Sequence, residues 1–223
     1  MFDVKIMRVV KHKFINYSYL LIHKNTRQAV IIDPAWDFEQ IKKVVEVEAV
    51  SICGILVTHH HFDHINLAEI FSGLYNVPVY ISKQEYYEYN LHFSNVKTFD
   101  NDELISFGNF NVRTIFTPGH TSGGCCFLVD GNLFSGDTLF IEGCGSCSKN
   151  EIGGSSSDMF DSLCKLKNVI DDEILVFPGH KFSASIPQTF GDVKRMNIYL
   201  QINDKDQFIR FREENTKRNF DFS

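Results

Sequence analysis

No stretch of this sequence approaches 18 uninterrupted apolar residues, and its first ten, Met1-Phe2-Asp3-Val4-Lys5-Ile6-Met7-Arg8-Val9-Val10, lack a basic start leading into a long apolar run. Neither a membrane-spanning helix nor a secretory leader is read there, so a cytoplasmic protein with no membrane partner is expected. Cysteine is too thinly spread for a disulfide framework: Cys53, Cys125, Cys126, Cys144, Cys147 and Cys164 are scattered through 223 residues and read as reduced thiols. Cys144 and Cys147 have C-x-x-C spacing but no second pair to complete a zinc knuckle, which leaves them as structural or cleft-wall residues. Basic charge is short as well. A net charge of −6 and a pI near 5.8 exclude general affinity for nucleic acid. Only residues 181–223 lean the other way, with eight Lys/Arg against six Asp/Glu; they offer a patch for an acidic partner or an ordinary solvated helical face. Linkers, low-complexity tracts and repeats are missing too. What remains is 43% hydrophobic residues, ample for a core, and the expectation of one domain over 1–223 with a helical tail from about 190.

Apolar runs bounded by turn residues predict strands over 5–10, 17–23, 29–33 and 51–57, with an amphipathic helix over 38–47. Helical spacing resumes at 65–71, with Asp63 placed to cap that helix. A second batch follows: strands over 79–81, 103–107, 110–116, 125–129, 133–135 and 173–177, and helices over 83–90, 157–170 and around 204–214. Asp130-Gly131-Asn132 marks a hairpin between two of these strands. Two packed sheets with helices outside would bury both batches.

The chemistry is concentrated in Thr58-His59-His60-His61-Phe62-Asp63-His64, which offers four metal-binding side chains beyond His60 in one turn between a strand and a helix. Three more candidates end strands in glycine-containing turns: His120 in Thr117-Pro118-Gly119-His120, Asp137 in Ser135-Gly136-Asp137 and His180 in Phe177-Pro178-Gly179-His180. Five histidines and two aspartates divide into two sites, with His59, His61 and His120 on one ion, Asp63, His64 and His180 on a second, and Asp137 between. Nitrogen and carboxylate donors without thiolate suit Zn²⁺, and also Fe or Mn. His60 is expected to point away, and His12, His23 and His92 to serve surface or packing. Asp33, ending a strand in Ile32-Asp33-Pro34, is placed either to brace a ligand or simply to make a turn.

The run His59-His60-His61-Phe62-Asp63-His64, with His120, Asp137 and His180 in order behind it, resembles the metallo-β-lactamase superfamily. That resemblance implies an α/β fold of four layers, the αββα sandwich of two mixed β-sheets, with a dinuclear zinc centre at one edge. Gly136-Asp137-Thr138-Leu139-Phe140-Ile141-Glu142-Gly143-Cys144-Gly145 is similar to the corresponding run of glyoxalase II-type thioesterases. Two departures are visible: Ser146 stands where glyoxalase II has a basic residue, and only 43 residues follow His180. With Met159-Phe160-Asp161-Ser162-Leu163 and the segment from Pro187 to Asn197, the chain resembles the zinc-dependent hydrolases found with trans-acyltransferase polyketide synthases.

The resemblance implies cleavage of an acyl thioester, either a small one or acyl-phosphopantetheine on an acyl carrier protein, by a hydroxide bridging two metals. Asp63 would act as both ligand and orienting carboxylate. Lys181, Lys194 and Arg195 are candidates for the arm's phosphate, or plain solvated cations. The alternatives are glyoxalase II-type hydrolysis of S-lactoylglutathione and the mononuclear iron chemistry of persulfide dioxygenases.

Overall fold

Alternation within the strands decides the layering. In β2 (Phe14–His23) Leu20 and Ile22 point one way and Tyr19 and Leu21 the other, and β3 (Gln28–Ile32) sends Ala29 and Ile31 opposite to Val30 and Ile32. Both faces of these strands are apolar, so each must be covered. The computed structural model, which describes residues 1–12, 14–147, 153–181 and 183–219, shows how.

The first sheet runs β1 (Phe2–Lys11), β2, β3, β4 (Ser51–Leu56), β5 (Val79–Ser82), β6 (Val96–Phe99), antiparallel through β3 and parallel from there on. Its outer face packs Met7, Leu20, Ile31, Ile55 and Val79 against α1 (Phe38–Glu48) and α3 (Ala68–Tyr75), which bury Ile41 and Phe71. The second sheet has the order β12 (Gln188–Thr189), β11 (Leu175–Pro178), β10 (Asn132–Gly136), β9 (Cys125–Val129), β8 (Phe110–Phe116), β7 (Leu104–Phe107), antiparallel except for the β10/β11 pair. Its Phe107, Phe127, Phe134 and Phe177 meet Tyr19, Val30 and Leu56 between the sheets. Its other face, with Ile115, Cys126, Leu133 and Val176, is covered by α5 (Ser156–Val169), α6 (Phe190–Met196) and α8 (Lys205–Asn219), with α7 (Ile198–Gln201) between the last two. Three separate hydrophobic layers define four structural ones, so the αββα sandwich follows from the strand alternation.

The predicted elements recur with shifted ends; α6 and α7 lie in the segment read as a helical tail, and β6, β12 and the four-residue α2 (Phe62–Ile65) are additions. One expectation fails. Asp63 caps no helix: α2 (Phe62–Ile65) starts after His61, and Asp63 lies in its first turn. The helical stretch also breaks at Asn66 and Leu67 before α3, where the Asn66 amide donates to the Phe62 carbonyl and the Leu67 N–H to Pro34. The Asp63 carboxylate is drawn instead to the Asn16 amide, 2.9 Å away. Among the described residues no helix is long and apolar enough to cross a membrane.

Candidate metal centre

Each of the seven predicted side chains leaves the carboxyl end of a strand, the turn behind it or, for Asp63 and His64, the short α2 that follows β4. His59, His61, Asp63 and His64 follow β4, His120 follows β8, Asp137 follows β10 and His180 follows β11. Their donor atoms converge in three overlapping groups, His59/His61/His120, His59/His64/Asp137 and Asp63/His64/His180, all within 4.8 Å in each group. Asp137 stands between the halves, with Oδ1 3.3 Å from His64 Nε2 and Oδ2 3.3 Å from His180 Nε2 and 3.5 Å from His120 Nε2.

Close approach of three strand ends needs glycine at the contact. A Cβ on Gly145 would lie 2.1 Å from the Asp137 carbonyl oxygen, and Gly145 N–H in fact donates to that oxygen at 2.8 Å. Gly179 packs just as closely, with a Cβ there 2.4 Å from Asp137 Oδ1.

The outward ring nitrogens of four of the five histidines are occupied. His120 Nδ1 donates to the Ser146 carbonyl at 2.6 Å and His180 Nδ1 to the Ile15 carbonyl at 2.8 Å. His64 Nδ1 meets Asp33 Oδ2 at 3.0 Å. Thr58 Oγ1 donates to Asp33 at 2.6 Å and is thereby left to accept from His59 Nδ1 at 3.0 Å. Such outer partners fix the tautomer and aim Nε2 at the centre. Only His61 presents Nδ1, which lies 2.8 Å from His120 Nε2.

Two inward atoms are left short of partners: His59 Nε2 is buried with none, and Asp137 Oδ1 has only the ion-pair approach of His64 Nε2 at 3.3 Å and no hydrogen bond of regular geometry. A buried nitrogen and carboxylate oxygen short of partners are costly unless a cation completes them. An all-nitrogen and oxygen donor set with two such atoms therefore fits metal ions.

Electrostatics describe a cluster that balances itself by protonation. Burial alone would pull His180 down, but Asp137 and Asp63 outweigh it and push it up to about 10. His64 is likewise held well above the usual histidine range by Asp137 and Asp33 against its burial. Burial and His120 lower His61 to about 4, and burial with His64 lowers His59 well below its ordinary value. Asp137 stays ionised despite burial because His64 and His180 face it.

Metal uptake must expel the His64 and His180 protons. At pH 8 zinc binding is expected to release protons, the one held by His180 among them, measurable by calorimetry in buffers of different ionisation enthalpy; no release would contradict these assignments. The same sign fixes metal-free stability. His180 protonation favours folding fully below the unfolded value near 6.5, and this contribution is lost as pH rises toward about 10.

Sequence reasoning placed the seven residues, and the structure brings all seven together. Asp33, read either way, braces both His64 and Thr58. His60 does turn away, stacking on Tyr89 at 3.5 Å between ring centroids. His23 packs between Phe2 and Phe110. Cys144 and Cys147 are buried beside α5 and α8. Lys194 and Arg195 are engaged with Asp172 and Asp192 on the surface.

Sequence reasoning missed four contributors. Asn16 donates its amide to both the carbonyl and the carboxylate of Asp63 and accepts from Trp36 Nε1. Glu85 bonds His60, and Glu142 Oε1 accepts from the Ser183 and Ala184 N–H groups just past His180. Arg212 reaches from α8 to the Gly145 carbonyl at 2.7 Å.

A fold of two mixed sheets with this cluster at one edge defines the class: the metallo-beta-lactamase superfamily profile matches residues 13–180, and the chain belongs to that superfamily. Within it, the chain is 36% identical over 208 residues to a Bacillus subtilis protein named probable polyketide biosynthesis zinc-dependent hydrolase PksB, covering 93% of this chain and 92% of that one. It is 34% identical over 193 residues to the human hydroxyacylglutathione hydrolase-like protein, covering 82% of this chain and 60% of that one. Among solved structures, ETHE1 from Myxococcus xanthus superposes with a TM-score of 0.80 at 25% identity, covering 94% of this chain and 90% of that one.

Proposed function

We propose that residues 1–223 act as one zinc-dependent hydrolase that cleaves acyl thioesters in the cytoplasm, with acyl-phosphopantetheine on a polyketide carrier protein as substrate. The observation that carries this is the complete seven-residue cluster, with His59 Nε2 and Asp137 Oδ1 short of partners toward its centre. The Bacillus subtilis relative's name supports both zinc and polyketide biosynthesis.

In this reading His59, His61 and His120 would hold one ion and Asp63, His64 and His180 the other, with Asp137 placed between the two sets to serve both. Bound ions supply Lewis acidity, lowering the pKa of water and polarising the thioester carbonyl. The protein's own part is positioning. Asp63 is the more open of the two carboxylates, with a side chain 24% exposed against 9% for Asp137, and Asn16 fixes it. It is placed to accept a hydrogen bond from the attacking water and so orient it. Burial of His59, His64 and Asp137 excludes bulk water from the rest of the cluster and strengthens its fields. A thiolate leaves without protonation, so the site needs no separate general acid. Phe62, 67% exposed and edge-on to Trp36 at 5.7 Å, lies beside Asp63 where an apolar acyl group would enter.

The test pairs elemental mass spectrometry, on protein purified without added metal, with hydrolysis of an acetyl-pantetheine thioester. About two zinc ions per chain and turnover abolished by Asp63→Ala are expected. A single iron with oxygen consumption and no hydrolysis would overturn the reading. Faster cleavage of S-lactoylglutathione than of the pantetheine thioester at equal concentration would move the substrate away from carrier proteins.

A further inference from the structure

We infer that Glu85, on the short helix α4 (Lys83–Glu88), is a positioning residue that sets the spacing of the His59/His61/His120 half of the centre and acts less on the other half, whose own braces lie elsewhere. Its carboxylate is fully buried, and its two oxygens serve two different ligand loops. Oε2 accepts the His60 backbone N–H at 2.8 Å and meets His60 Nδ1 at 2.6 Å, holding the residue between two ligands by both backbone and ring. Oε1 accepts the Gly123 N–H at 2.9 Å, three residues past His120.

The bracket is doubled at the start of the same helix. Ser82 Oγ accepts the Glu85 N–H at 3.1 Å and donates to the Gly123 carbonyl at 2.6 Å. The fit is too close for any side chain at 123, where a Cβ would lie 2.5 Å from Glu85 N and 2.8 Å from Ser82 Oγ. Tyr89 completes the support by stacking on His60 and bonding Ser122 Oγ at 3.1 Å. One turn of helix thus ties the loop carrying His59 and His61 to the loop carrying His120.

The second half is braced from elsewhere. Asp63 is held by Asn16, His64 by Asp33 and His180 by the Ile15 carbonyl, none of them on α4. Disturbing Glu85 should therefore weaken one ion selectively. A residue that only supported the fold would weaken both.

The inference rests on the metal-ligand reading above. Glu85→Gln keeps the shape but turns one acceptor into a donor facing His60 N–H or Gly123 N–H. Zinc titration against a chromophoric chelator is expected to show one dissociation constant raised about 10–100-fold and the other within about twofold. Crystals loaded with a single equivalent of zinc should place the anomalous scatterer beside Asp63, His64 and His180. Equal weakening of both ions, no change in either, or a scatterer among His59, His61 and His120 would overturn the inference. If Glu85→Gln does not fold, Ser82→Ala removes the other strap to Gly123 and is judged by the same readout. Wild-type protein that binds no zinc would instead undo the metal-ligand reading itself.

Discussion

An Asp137→Ala variant is expected to lose at least about a thousandfold in kcat/KM on an acyl-pantetheine thioester, ~4 kcal/mol of transition-state stabilisation, and to retain at most one zinc per chain. Asp137 is the one predicted ligand whose oxygens face histidines of both halves, lying 3.3 Å from His64 and from His180 and 3.5 Å from His120. In the proposed arrangement its removal would take a donor from each ion, and it takes away the main counter-charge that keeps His64 and His180 protonated in the metal-free protein. The folded apo protein then has two imidazoles, their Nε2 atoms 3.4 Å apart, with less anion to share. Apparent pKa values of both should fall, and proton release on zinc binding should fall with them. Metal content, kcat/KM and buffer-dependent calorimetry together check the prediction. Two retained zinc ions with wild-type turnover would remove Asp137 from its bridging place.

Asp137, His64, His120 and His180 are residues whose type alone marked them in the sequence. Order, spacing and turn context of the histidines and aspartates at strand-ending glycine turns converged on the same seven. The layering was equally legible, because Leu20/Ile22 against Tyr19/Leu21 and Ala29/Ile31 against Val30/Ile32 demand cover on both sides. Much of the bracing around the ligands could not be read. Ser146 and Ile15 act through backbone carbonyls, which carry no side-chain identity. Glu85 sits in Lys83-Gln84-Glu85-Tyr86-Tyr87-Glu88, a string that reads as an exposed helix, and is buried only because a second sheet's loop arrives beside it. Asn16 is separated by 47 residues from the aspartate it holds. The misplaced Asp63 cap has the same origin: local propensity favoured the helix's own N–H groups, while Asn16 and His180 from distant strands compete for that carboxylate and win.

The second large effect is expected at Gly179. A Cβ there would lie 2.4 Å from Asp137 Oδ1, 2.6 Å from His64 Cε1 and 3.2 Å from the Gly136 carbonyl carbon. The backbone has little room to retreat, since Gly179 N–H donates to the Gly136 carbonyl at 2.8 Å and its own carbonyl accepts from Tyr17 at 2.9 Å. Tyr19 pins the preceding residue through a 2.5 Å bond to the Pro178 carbonyl. Gly179→Ala must therefore displace Asp137 and His64, both buried. Overpacking of this kind costs about 1–3 kcal/mol, which for a chain of this length lowers the melting midpoint by roughly 2–12 °C. Because the displaced atoms are the donors themselves, zinc affinity and kcat/KM should each fall at least about a hundredfold. Gly73→Ala provides the matched comparison. Gly73 lies exposed in α3 with nothing within 4 Å of its Cβ position, so the same added methyl should stabilise by about 0.5–1 kcal/mol through helix propensity and leave zinc binding unchanged. A Gly179→Ala protein with wild-type melting and two tightly held ions would show that the strand ends can part without loosening the site, against the close packing on which the centre is built.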